Sequence, residues 1–136
     1  MSESTALRQV LVGSVAAIAL LLVLESLSTF LPGLGRSATT FGYVEPVSSL
    51  STAIAMCVGG FLGGKRFILV ALLLVAVLWV STIVLALQIA QPPGSNSLTA
   101  ILAYSRGQIL FSLLAAGAGA AIGAWLRMQR AVPPVR

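Results

Sequence analysis

Ala53-Ile-Ala-Met-Cys-Val-Gly-Gly-Phe-Leu-Gly-Gly-Lys-Arg66 carries an apolar segment into four glycines and stops it with two adjacent cations. The theme returns about sixty residues later as Leu114-Ala-Ala-Gly-Ala-Gly-Ala-Ala-Ile-Gly-Ala-Trp-Leu-Arg127. Glycine lowers helix propensity, so glycines kept inside an apolar helix point to close approach of helix backbones. The cations that follow mark the membrane face at which each segment ends. Taken alone, 59–66 is open to confusion with a phosphate-cradling glycine loop, but it lacks the strand–loop–helix frame and the full spacing of one.

Composition carries this reading to the whole chain. Of 136 residues, 58% are hydrophobic and 8% charged, and the mean hydropathy is +1.04. Soluble domains carry about 25% charged residues. A spanning helix needs about 20 mainly apolar residues to cross roughly 30 Å of hydrocarbon. The expected fold is therefore all-α: one transmembrane domain over residues 1–136, with four helices as two tandem helical hairpins. The expected spans are about 7–31, 46–64, 67–91 and 98–128. Pro32-Gly33 and Pro92-Pro93-Gly94 break the chain between spans, and Pro46 suits a first helical position. The first span reads as a retained helix rather than a cleaved signal, because no small-x-small site follows its apolar run.

Charges near the span ends set the expected orientation. Arg8, Lys65, Arg66, Arg127, Arg130 and Arg136 fall on one side, against Arg36 and Arg106 on the other. Both termini and the 65–66 turn are then expected in the cytoplasm of a bacterial cell, with the protein in the inner membrane. The net charge of +5 is explained by these segment ends and needs no nucleic-acid partner. The expected partners are the lipid bilayer and a homo-oligomer or larger membrane complex.

A tandem duplication is one reading of the regular spacing. Pro32-Gly33 recurs as Pro93-Gly94 and Tyr43 as Tyr104 at a spacing of 61, and Gly59 and Gly63 recur as Gly119 and Gly123 at a spacing of 60. The other is that any chain rich in Ala, Leu, Val and Gly aligns with itself this well.

Few residues can carry chemistry. The chain has no histidine, no aspartate, three glutamates and one cysteine, Cys57, so no cofactor, no metal site and no catalytic constellation is expected. Glu25 is the sharpest exception. At 1.5 Å per residue it lies about 24 Å beyond Gln9, roughly 6 Å short of the far boundary. A charge at the centre of a spanning helix costs about 2.5–3.5 kcal/mol, less towards the interface, so such a residue needs a partner or a purpose. Arg106 lies at the same end and can snorkel, so Glu25 and Arg106 are the candidate intramembrane ion pair, with Glu25 as the candidate transport group. Gln88, Ser81 and Ser112 read either as a polar path or as interhelical glue.

The helix-packing candidates are Gly59, Gly60, Gly63 and Gly64 in the second span and Gly119 and Gly123 in the fourth. Small residues four apart open a groove for another helix. Here they are expected to pack the second span on the fourth, with self-association as the alternative.

In its layout the chain is similar to the small multidrug resistance transporters, which also place an acidic residue in the first of four helices. The residues around Glu25 depart from that family's pattern, so no substrate site carries over. The sequence thus predicts a non-enzymatic integral membrane protein, a scaffold, accessory subunit or self-associating protein. The alternative is a small oligomeric transporter or channel with Glu25 as a cation- or proton-coupled group.

Overall fold

A computed structural model describes residues 3–28, 30, 37–40, 42–89 and 97–131. The fold is all-α, built from α1 (Glu3–Ser28), α2 (Pro46–Gly63), α3 (Phe67–Ile89) and α4 (Ser97–Ala131). All four are long and apolar enough to cross a membrane, which makes this a multi-pass membrane protein. Their outer surfaces agree: Leu22, Leu73, Val80, Leu110 and Leu114 are all exposed, as side chains solvated by lipid are. Arg36, one of the two charges expected on the external side, lies outside the described residues.

One short element departs from helix. Strands β1 (Ser37–Thr39) and β2 (Gly42–Val44) pair antiparallel, with Ser37 opposite Val44 and Thr39 opposite Gly42. Gly42 sits at φ +108°, a conformation L side chains rarely adopt, and a Cβ there would lie 2.6 Å from the carbonyl oxygen of Tyr104. The hairpin therefore lies directly on α4. Its Tyr43 ring stacks on Tyr104, centroids 5.6 Å apart and planes 8° from parallel.

The bundle is organised around α2, which packs most extensively on α4 and next on α1; α3 packs on α4. The α2–α4 seam is built on missing side chains. A Cβ on Gly60 would collide with the carbonyl oxygen of Ala120, one on Gly119 with that of Ala53, and one on Gly123 with that of Cys57. Each glycine thus lets one backbone rest on the other.

Gly59, Gly63 and Gly64 correct the expected single seam. A Cβ on Gly59 would meet the Phe67 ring and, at 3.0 Å, Ala17; one on Gly63 would lie 2.8 Å from Phe67 Cβ. These two glycines face α1 and α3, not α4. At about 100° per residue, Gly59 and Gly60 cannot share a neighbour. Gly64 lies beyond the helix as its C-cap, at φ +72°, with its N–H donating to the Gly60 carbonyl. Gly13 completes the α1 contact, for a Cβ there would stand 2.7 Å from the Gly59 carbonyl oxygen.

The same contacts separate the positions that the regular spacing matched. Gly119 and Gly123 face α2, whereas Gly59 and Gly63 face α1 and α3. Tyr43 lies in a strand and Tyr104 in a helix. All of these glycine faces are filled from within the chain. The core between them joins Ala17, Met56, Phe67, Ala71, Val75, Ala116 and Ala120.

Candidate functional site

Away from this tightly packed seam, the four helices diverge around a chamber of about 280 Å³. It is lined by Leu21, Leu22 and Glu25 from α1 and by Ser48 and Thr52 from α2. Val75, Leu78, Trp79 and Thr82 of α3 and Gln108 and Ser112 of α4 complete it. The spacings are helical on every side: 21/25, 48/52, 75/79/82 and 108/112 each place their side chains on one face.

Glu25 is the only carboxylate of the lining, and its Oε1 accepts a hydrogen bond from Ser48 Oγ at 2.7 Å. The expected ion pair with Arg106 is corrected here. Arg106 Nη2 donates instead to the carbonyl oxygen of Thr40 in the hairpin turn, at 3.2 Å. The reason is azimuth. Arg106 precedes Gln108 by two residues, about 200° around the helix, so with Gln108 in the chamber Arg106 points away from it.

Gln108 fixes one end of the chamber. Glu45 N-caps α2 without using its side chain, and its backbone N–H donates to Gln108 Oε1 at 2.6 Å. Glu45 itself takes the Tyr43 hydroxyl, 3.0 Å from Oε2, and its carbonyl oxygen takes Ser49 Oγ. Trp79 of α3 also lines the chamber, with Nε1 donating to Ser112 Oγ at 2.6 Å. This hydrogen bond ties α3 to α4. Trp79→Phe is expected to cost about 1 kcal/mol of stability, the net worth of one hydrogen bond, read as a lower midpoint in detergent unfolding.

The hydroxyl protons of the lining are all directed into protein. Ser48 donates to Glu25, Thr52 to the Ser48 carbonyl at 2.9 Å, Thr82 to the Leu78 carbonyl at 2.8 Å and Ser112 to the Ile109 carbonyl at 3.0 Å. What these side chains turn to the cavity is oxygen lone pairs. Oε2 of Glu25 has no donor among the described residues, yet no buried side-chain oxygen or nitrogen lacks a partner among them, so Oε2 meets open space. The amide NH₂ of Gln108 is the one donor left to face inward. The chamber is thus a mostly apolar pocket that bears one carboxylate and a few hydroxyl acceptors.

Of the other expected polar groups, Ser112 lines the chamber, whereas Ser81 and Gln88 are exposed on α3 and Ser81 bonds back to the Val77 carbonyl. Among the described residues no cluster of three metal-ligating side chains forms. No protein-family model, curated protein or solved structure matches this chain.

Proposed function

We propose that this protein is a small, non-enzymatic integral membrane protein that takes a cation into the chamber at Glu25, acting as a transporter or channel. The observation that carries this reading is the direction of the hydroxyl protons. With all four committed to protein acceptors, the polar part of the lining offers a guest oxygen lone pairs and one carboxylate against a single donor, the Gln108 amide, which favours a positive charge or a strong donor. A volume of about 280 Å³ is several times the roughly 30 Å³ of one water, so the guest is a partly hydrated ion or a small ammonium. Leu22 of α1 and Leu78 and Thr82 of α3 line the chamber and are themselves exposed, so the side between α1 and α3 offers the path of entry. By the distribution of arginine and lysine, the chamber belongs to the external half of a bacterial inner-membrane protein with cytoplasmic termini.

The test is flux in proteoliposomes loaded with Na⁺, K⁺ or ethylammonium, with internal pH followed in parallel. Glu25→Gln keeps the shape and one acceptor for Ser48 but removes the charge. It is expected to cut flux by at least about tenfold, the factor that about 1.4 kcal/mol of lost stabilisation produces, while unfolding stays close to wild type. A Glu25→Gln protein with full flux overturns the proposal. The scaffold or accessory-subunit reading draws on a different observation, the rigid α2–α4 seam, and requires a partner that co-purifies in mild detergent whatever stands at position 25. Oligomers would then form through surfaces other than the glycines, which the chain fills itself.

A further inference from the structure

The opposite, basic end holds two grooves that the chamber does not use, one on each side of the first turns of α1. The first, of about 460 Å³, is lined by Ser4, Leu7 and Val10 of α1 with Arg66 and Val70. The second, of about 360 Å³, is lined by Thr5, Arg8, Gln9 and Val12 of α1, Leu62 of α2 and Arg127 of α4. Both combine a hydroxyl residue of the first turn of α1 and valine with at least one arginine, Arg66 from the α2–α3 turn in the first and Arg8 of α1 with Arg127 of α4 in the second.

The arginines are differently employed. Arg127 is fixed, with Nη1 on the Leu62 carbonyl oxygen and Nη2 on Gln9 Oε1. Arg8 and Arg66 are exposed, and neither guanidinium has a hydrogen-bond partner among the described residues. Arg8, Lys65, Arg66, Arg127 and Arg130 gather at this end, against Glu3 as the one acidic residue in the same part of the chain. The N-terminus of α1 adds the positive end of a helix dipole between the two grooves.

We infer that these grooves are binding sites for anionic phospholipids of the surrounding leaflet. The phosphate of each headgroup pairs with Arg66 in one groove and Arg8 in the other, and an acyl chain follows Val10 and Val70 or Val12 and Leu62. Guanidinium recognises a phosphate through paired N–H donors, and basic pockets between membrane helices at the cytoplasmic face have this use. A neutral zwitterionic headgroup fits worse, because its own ammonium would enter a region already dense in cations.

Native mass spectrometry on the full chain, purified in mild detergent and incubated with equal amounts of phosphatidylglycerol and phosphatidylcholine, tests this without depending on membrane orientation. The expected result is retention of one or two phosphatidylglycerol molecules in clear excess over phosphatidylcholine. Arg8→Gln with Arg66→Gln should lower that excess at least fivefold, whereas Arg106→Gln at the other end should leave it intact. Equal retention of the two lipids by the wild type overturns the inference without reference to any variant. An unchanged excess in the double variant overturns the assignment to these grooves. Loss of the bound lipid to inorganic phosphate at millimolar concentration would identify a free-anion site and overturn the lipid as occupant.

Discussion

Replacing Gly123 by alanine, a change of one methyl group, is expected to destabilise this protein by about 3 kcal/mol or more, the upper range of overpacking. The added Cβ would fall on the Cys57 carbonyl oxygen, with Phe61 N at 2.7 Å and the Cys57 carbonyl carbon at 2.9 Å. All of these are backbone atoms, so no side chain can rotate away. Relief requires moving α4 off α2, which forfeits contacts along the whole seam. Gly60→Ala and Gly119→Ala meet the Ala120 and Ala53 carbonyl oxygens and should behave alike. Because the three share one seam, their combined effect should be smaller than the sum of the single ones. Gly117→Ala supplies the control, since its Cβ would find only Leu72 Cδ2, at an ordinary 3.6 Å. There alanine removes a helix penalty of up to about 1 kcal/mol and should be neutral or stabilising. Unfolding of the purified variants in mixed micelles, followed by circular dichroism, separates the two groups. Equal stability of Gly117→Ala and Gly123→Ala would refute the seam.

The contrast also marks what sequence alone reveals. Hydropathy and the helix stops suffice for four spans, since a membrane leaves the backbone few alternatives to helix. That glycines mark helix contacts is equally legible, because their helix penalty demands a reason. Which helix each one contacts is not, since a rotation of 100° separates neighbours in the chain and the partner depends on tertiary placement. Gly13 with Ala17 carries the same small-x-x-x-small signal in α1, but a single glycine in an apolar run does not stand out. The hairpin at Ser37–Val44 left little trace: three-residue strands are too short for a period to show.

At the chamber, the anomaly of Glu25 is readable in the sequence, and the four-residue spacing of Gln108 and Ser112 places both on one face of α4. The partner was not. Glu25 and Arg106 share only a depth along the helices, whereas pairing also needs both groups to face each other. Ser48, which does face Glu25, is a small hydroxyl in a run of serines and gives no hint of its role in one dimension. Acceptor polarity in particular is invisible to sequence, because it depends on where each hydroxyl proton goes.

Arg127→Ala should be the other severe substitution, at about 2–3 kcal/mol, because one guanidinium joins three helices. Nη1 donates to the Leu62 carbonyl oxygen at 2.7 Å and Nη2 to Gln9 Oε1 at 2.9 Å, tying α4 to the end of α2 and the start of α1. Leu62 lies in the last turn of α2, where carbonyls lack the N–H of a following turn and cations are favoured by the helix dipole. Bonds from a charged donor contribute about 1.5–3 kcal/mol each when well shielded, and partial exposure of Arg127 reduces their sum to the figure expected. Arg127→Ala also removes one of the cations at this end of the bundle, so a second variant is needed to isolate the hydrogen bonds. Arg127→Lys retains the charge, but an ammonium on a single stem cannot reproduce the fork to both acceptors. It should recover about half of the loss. Gln9→Ala should then weaken wild type by about 1 kcal/mol and the Arg127→Ala protein hardly at all, the signature of a direct pair in a double-mutant cycle. Full recovery by lysine would reduce Arg127 to a point charge, and additive losses would deny the link to α1.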